Sequence, residues 1–361
     1  MKNKGGLLAL DRVEPVNRAA EGLLACSRPA STMGARFYTP EELAGPSLTR
    51  LFFVTDVHGS DRCFRKFLNA AKVYKADALI LGGDITGKML VPIVEQGDGS
   101  YALTLFGESR RIGKSQLEET QKSIADAGQY YYVTNPSEIE ELNSSQAKME
   151  KVFNDRIIET LRSWLNLAEE RLSGTEVKCY ISPGNDDKLE IDGLLVDSGH
   201  IVNPENRIVH LDGGYEMITL GTANHTPWNS PREVTEEELG AMIERLASGL
   251  ARPETSVFNL HVPPADTELD KAPAVDAEFR YVKDGLTVKM IHAGSTAVKA
   301  SIERHQPLLG LHGHIHESRG FVKIGRTLCL NPGSEYADGI LRGALVNLEK
   351  DRVKTFILTS G

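Results

Sequence analysis

The chain has 361 residues, 40% hydrophobic and 25% charged, and a net charge of −9 with histidine neutral. That length can bury a large core, and the composition is that of a globular protein. The acidic balance argues against sequence-independent binding to nucleic acid or anionic lipid, which needs basic patches. A phosphate-bearing substrate would then need a local cationic site, such as bound metal.

The first residues carry two lysines and then a short apolar run, Leu7 to Leu10, interrupted by Asp11 and Arg12. That run is too short for a signal peptide. No stretch of about 18 apolar residues exists, so no membrane span is expected, and the cytoplasm is the default compartment. Residues 1–46 are broken up by Pro15, Pro29, Gly34, Pro40 and Gly45 and read as an N-terminal extension. A single domain is expected over residues 47–361. Leu51 to Thr55 is a short buried strand bounded by Asp56. Phe64, Phe67, Leu68 and Ala71 fall at helical spacing within Arg62 to Val73. Ala78 to Leu81 is a second strand, stopped by Gly82 and Gly83. This β-α-β order predicts an α/β fold in which helices cover a sheet.

Residues 88–143 interrupt that order. Leu90 to Val94 and Tyr101 to Phe106 flank Gln96-Gly97-Asp98-Gly99, a hairpin signal. A polar helical stretch and Tyr130 to Val133 follow, so the segment reads as a cap-like insertion above the site. Gln146 to Leu172 has Met149, Val152, Phe153, Ile157, Leu161, Leu165 and Leu172 on one helical face. Later strands are expected at Val177–Ser182, Met217–Gly221, Ser256–Leu260, Leu308–Leu311, Thr327–Leu330, Ala344–Leu348 and Val353–Leu358. A helix from Thr235 to Leu250 opens on a capping box, Thr235 with Glu238. The four cysteines, Cys26, Cys63, Cys179 and Cys329, form no C-x-x-C pair and suit a reducing compartment. Cys63 reads as a packed helix residue, and Cys179 and Cys329 as strand core.

The chemistry-bearing residues follow predicted strands. They are Asp56-Val57-His58-Gly59, Gly82-Gly83-Asp84, Pro183-Gly184-Asn185-Asp186-Asp187, His261 and His312-Gly313-His314-Ile315-His316. Sites in open α/β sheets form at strand carboxyl ends, so five loops converge polar side chains on one edge. Aspartate supplies a hard anionic oxygen, imidazole suits manganese, iron, zinc or nickel, and asparagine offers a neutral carbonyl. Two such cations clamp phosphate oxygens and activate a water between them. Any one of these histidines alone is as readily a structural, hydrogen-bonded residue; the set in order is what carries the reading.

Asp-x-His, Gly-Asp, Gly-Asn, a lone His after a strand, and Gly-His-x-His, in that order, resemble the calcineurin-like metallophosphoesterases. Gly221 to Pro231 and Gly313 to Gly320 look like the branch related to the cyclic-AMP phosphodiesterase Icc. The resemblance covers roughly residues 50–350. It implies a four-layer fold, a β-sandwich of two mixed sheets flanked by helices. It implies that Asp56, His58 and His316 bind one divalent first-row ion, that Asn185, His261 and His314 bind a second, and that Asp84 bridges them. The implied activity is hydrolysis of a phosphodiester or similar small phosphate ester, cyclic nucleotides included, by attack of a metal-bridging hydroxide. A phosphomonoesterase, a protein phosphatase and a non-catalytic metal-binding module are the alternatives. The sequence is silent on metal identity and oligomeric state.

One departure matters. The family often has His after Gly-Asn, where it protonates the leaving oxygen; here that position is Asp186, and Asp187 matches the acidic partner. Beside cations Asp186 stays ionised and is a poor general acid, which favours diesters and good leaving groups over alkyl monoesters. Asn185 is a candidate for touching the phosphate. His225 is a candidate to overhang the metals and supply the proton, with a solvent-exposed loop as the plainer reading. His292 is a weaker candidate to face the site, and His312 reads as a strand residue. Gly294-Ser295 reads as a helix N-cap rather than a phosphate site. Glu118-Glu119 and Glu236 to Glu238 read as solvated helix faces. Tyr130 to Tyr132 could shape a pocket or pack within the insertion.

Overall fold

The computed structural model describes residues 48–361. The expected extension over residues 1–46, with Cys26, lies outside the described residues. The first strand is Leu48–Val54, longer than its apolar stretch because it pairs antiparallel with Arg342–Glu349, Leu48 opposite Glu349. Such a partner 300 residues away leaves no local trace.

Two six-stranded sheets organise the fold. The first runs in the order Arg352–Ser360, Arg342–Glu349, Leu48–Val54, Ala78–Gly82, Lys178–Ser182, Ile201–Val202. The second runs Gly320–Ile324, Thr327–Asn331, Leu309–Leu311, Val257–Leu260, Tyr215–Leu220, Ile208–Leu211. The second sheet has parallel central pairs and antiparallel pairs at both edges, whereas the first is parallel from Leu48–Val54 through to Ile201–Val202 and antiparallel only at its other end. Side chains alternate across a strand. Leu51 and Phe53 therefore join Met217, Val257, Leu309 and Leu330 in a core between the sheets. Phe52 and Val54 face the other way, toward Phe64, Phe67, Ile157, Leu161 and Trp164 of helices Asp61–Tyr74 and Gln146–Leu172. Both faces of the strand are covered, which is why it reads as continuously apolar. Helices Glu236–Ala247 and Thr296–His305 cover the outer face of the second sheet through Leu239, Ile243, Val298 and Ile302.

Local chemistry sets the helix ends. Ser60 caps Asp61–Tyr74, its side chain accepting from the Cys63 amide, and Lys75 closes the helix at φ 52°. Phe64 stacks on Trp164 with ring centroids 4.2 Å apart and planes 3° from parallel. Trp164 Nε1 donates to Asp61 Oδ1 at 3.0 Å. Phe64→Ala is expected to cost about 3–5 kcal/mol, the usual range for truncating a buried aromatic side chain. Urea unfolding checks this, and a loss under about 1 kcal/mol would contradict the stacked packing. Thr235 and Glu238 form the expected capping box.

Residues 90–134 build a separate four-stranded sheet, ordered Glu108–Gly113, Ser100–Leu105, Leu90–Glu95, Tyr130–Thr134. The Gln96–Gly99 turn joins two of these strands with Val94 opposite Ala102. Val91, Ile93, Leu103, Leu105 and Ile124 give the sheet its own small core. Between Leu260 and Thr296 the chain makes an excursion with two small ribbons, Lys271–Pro273 with Met290–His292 and Lys283–Asp284 with Thr287–Val288. Among the described residues no helix is long and apolar enough to cross a membrane.

Candidate metal centre

Parallel neighbours in both sheets set their carboxyl ends along one edge, and packing the sheets face to face joins the two edges. Loop-to-loop hydrogen bonds then fix the side chains. The Asp56 amide donates to Gly83 O and the His58 amide to Asp84 O, both at 3.0 Å. Gly313 N donates to His261 O at 2.8 Å. The two sheets are tied where His314 N donates to the Asp56 carboxylate at 3.1 Å.

The seven residues named from the sequence come together. His58 Nε2 lies 3.6 Å from Asp84 Oδ2 and 3.9 Å from Asp56 Oδ1. His261 Nε2 lies 3.5 Å from Asp84 Oδ1 and 3.8 Å from Asp56 Oδ1. His316 Nε2 is 3.4 Å from Asp56 Oδ1 and 3.1 Å from His58 Nε2. His314 Nδ1 is 2.8 Å from Asn185 Oδ1. Three groups of donor atoms are compact enough to hold an ion: Asp56, His58 and His316; Asp56, Asp84 and His261; and His58, Asp84 and Asp186.

These spacings fit cations better than they fit a hydrogen-bond network. Two ligand atoms each about 2.1 Å from one ion stand roughly 3–3.5 Å apart, whereas most of the imidazole–carboxylate gaps are long for hydrogen bonds. His261 Nδ1 is committed to Gly82 O at 2.9 Å, so its Nε2 points inward, buried and without a partner. A buried polar atom left unpaired is costly, and a cation between Asp56 and Asp84 would remove that cost. The backbone is strained at the same place. Asp56, His58, Asp84 and His314 all have positive φ, at 54°, 39°, 51° and 66°. Strain of this kind persists where surrounding structure enforces it and clusters at functional sites. Gly83, at φ 118°, is required: a Cβ there would stand 2.5 Å from His261 Nδ1.

Electrostatics follow from burial and proximity. Burial opposes ionisation of Asp56, yet His261 and His316 hold its carboxyl well below the usual range. Burial also disfavours charge on His261, but Asp84 and Asp56 prevail and lift it to about 10. That pull would act equally on a metal cation. Burial pushes His58 and His314 down to about 4, keeping them in the neutral form that ligates metal.

Asp186 is placed apart from Asp187. Its carboxylate ion-pairs with Lys88 and accepts from Ser230 Oγ, while its amide donates to Asp84 Oδ1 at 3.0 Å. Asp187 is fully buried and accepts from Gly184 N at 2.7 Å, Ile85 N at 3.0 Å, and Thr86 N at 2.8 Å. Tyr336 packs its ring 4.7 Å from that of His58 and 5.9 Å from that of His316. Lys88 and Tyr336 carried no sequence signal, and Ser230 was not singled out within Gly221 to Pro231, because none of the three belongs to a metal-ligand motif.

A cleft of about 730 Å³ opens over these residues, lined by Asp84, Asn185, His314 and His316 and also by Trp228 and Tyr281. Lys88, Phe153 and Lys188 also border a second groove of about 580 Å³. His225 and His292 both line the main cleft. His312 does not; it is buried, with Nδ1 2.8 Å from Leu260 O. Cys63 is a buried helix residue. Tyr130 is packing rather than pocket, its hydroxyl accepting from Gly87 N at 2.8 Å. Ser295 is an N-cap, as expected. Glu236 corrects the reading of its run as a solvated face. Its carboxylate accepts from Ser295 Oγ and Ala297 N at 2.7 and 2.8 Å, since the unpaired amides of the next helix attract an anion.

No protein-family model matches the chain. Uncharacterized protein MJ1162 of Methanocaldococcus jannaschii is 31% identical over 160 residues, 44% of this chain and 63% of that relative. The chain thus spans less than two thirds of the length of that curated relative. One solved crystal structure aligns over 87% of this chain and 99% of its own, at 18% identity and TM-score 0.54, and shares the fold. A structure described as a novel archaeal phosphodiesterase aligns over 86% of this chain and 100% of its own, at 11% identity and TM-score 0.33. A likeness that slight says nothing about function.

Proposed function

We propose that the protein is a dinuclear-metal phosphoesterase of the calcineurin-like type, close to its Icc-related branch, acting on a phosphodiester. Two mixed sheets sharing a core, with helices on both outer faces, support the four-layer metallophosphoesterase fold in this reading. The observation that carries it is the convergence of Asp56, His58, Asp84, Asn185, His261, His314 and His316 on one strained edge, the first five of them buried. Asp56, His58 and His316 would hold one first-row ion and Asn185, His261 and His314 the other, with Asp84 between them. Such ions supply Lewis-acid polarisation of phosphoryl oxygens and lower the pKa of the attacking water.

The chain's own residues orient the ester and limit its size. Asn185 lines the cleft and would hold a phosphate oxygen. Asp186 is a charge partner of Lys88 rather than an acid. A diester carries two substituents, and the main cleft and the groove beyond Lys88, Phe153 and Lys188 offer room for both. His225 is exposed, and its Nδ1 is 4.0 Å from Glu233 Oε2, so nothing fixes it as a catalytic group. The substrate is a small phosphate ester, with cyclic nucleotides among those to be tried.

A metal-reconstituted panel tests the proposal. Chelator-stripped protein would be loaded with manganese, iron, zinc or nickel and assayed on bis-p-nitrophenyl phosphate, p-nitrophenyl phosphate and cyclic nucleotides, with His261→Ala as control. Metal-dependent diester hydrolysis lost in the control is the expected result. Higher kcat/KM on the monoester would favour a phosphomonoesterase. Stoichiometric metal binding without turnover would favour a binding module.

A further inference from the structure

Reading Asp186 as ion-paired leaves the leaving oxygen without a proton source, and the cleft contains one histidine built to supply it. Resting on the phosphodiesterase reading above, we infer that His292, oriented by the buried carboxylate of Asp270, is the general acid of the site.

Asp270 is 0% exposed. It accepts four hydrogen bonds, from Asp266 N at 3.0 Å, Thr267 N at 2.9 Å, Gly294 N at 3.2 Å and His292 Nδ1 at 2.8 Å. Three backbone donors pin the carboxylate, so the fourth bond sets the imidazole. With Asp270 as acceptor, Nδ1 carries the hydrogen, and Nε2 is the nitrogen free to exchange a proton. The backbone is fixed as well: His292 pairs with Lys271 across the small ribbon, and Ala293 N donates to Asp270 O at 2.9 Å. The Lys271 ammonium is turned away onto Glu268 at 2.7 Å. The His292 side chain is 46% exposed and lines the same cleft as Asp84, Asn185, His314 and His316. An imidazole held by a buried carboxylate, in the same cleft as the candidate metal ligands, is the arrangement that general acid–base catalysis needs. His225 lacks that support, because Glu233 spends its carboxylate on Thr226 N at 2.8 Å and on the Thr226 hydroxyl.

The step balances as follows. Water oxygen forms a bond to phosphorus while the bond from phosphorus to the leaving oxygen breaks, its electron pair staying on that oxygen. His292 Nε2 gives its proton to the leaving oxygen and recovers one, through solvent, from the water that attacked. The net change is diester plus water to monoester plus alcohol.

The test uses full-length, metal-loaded protein and methyl aryl phosphodiesters whose leaving group ranges from p-nitrophenol to phenol. His292→Gln is expected to lower kcat/KM about 10²-fold or more on the phenyl ester and to leave the p-nitrophenyl ester within about threefold. Metal content should match wild type, since His292 is not a ligand. In His292→Ala, added imidazole should restore part of the phenyl-ester rate. Diethyl pyrocarbonate should modify His292, read by mass spectrometry, more slowly in the presence of inorganic phosphate. Equal losses on all leaving groups, or a loss of metal, with wild-type turnover intact, would overturn the role of His292 alone. If the wild type hydrolysed none of the esters, the phosphodiesterase reading would fail first and this one with it.

Discussion

Asp84→Ala is expected to remove both metal binding and turnover, with activity falling at least about 10³-fold, beyond the loss typical of a single oxyanion donor. The carboxylate reaches toward both halves of the cluster. Its Oδ2 lies 3.6 Å from His58 Nε2 and its Oδ1 3.5 Å from His261 Nε2. It also accepts the Asp186 amide at 3.0 Å, so it anchors the Asn185-Asp186 loop. Removing it leaves several imidazoles and Asp56 to balance two cations, one negative charge short. Metal equivalents per chain and hydrolysis of bis-p-nitrophenyl phosphate check the effect. A variant that kept two metals and more than about a tenth of the rate would contradict the bridging role.

The second large effect is structural. Asp187→Ala is expected to destabilise the fold by about 3–5 kcal/mol and to lower metal affinity with it. Its carboxylate is the acceptor for three backbone amides, those of Gly184, Ile85 and Thr86, and for the Thr86 hydroxyl at 2.5 Å. Alanine leaves those donors buried and unpaired, at about 1–3 kcal/mol each before relaxation or water entry. The same bonds join the Asp84 loop to the Asn185 loop, so the two halves of the site should loosen together. Denaturant unfolding and metal titration report the two consequences. A change under about 1 kcal/mol would show that the loops hold themselves.

The candidate site was legible because its residues follow strands whose two buried faces make continuous apolar runs. Asp56 ends one such run, Asp84 another and His261 a third, and the short spacing of Gly313, His314 and His316 needs no tertiary knowledge. Gly83 announces itself because a backbone at φ 118° admits little else. What stayed hidden was arranged by tertiary contact. Lys88 and Ser230 meet the Asp186 carboxylate across loops with no shared pattern. Tyr336 reaches His58 from after the last strand of the second sheet. Asp270 and His292 are 22 residues apart, in an excursion whose strands are two or three residues long. No periodicity develops over so few positions. The edge strand Ile208–Leu211 was missed for a related reason, since it alternates burial and its polar His210 breaks the apolar run.

The most direct test of a two-metal site is crystallographic. Crystals of chelator-stripped protein soaked in manganese should give two anomalous peaks. One should be bounded by Asp56, His58 and His316 and the other by Asn185, His261 and His314, with Asp84 touching both. Two peaks in those positions are the result this account predicts. No peak within reach of Asp84, or a single ion held by other residues, would contradict it.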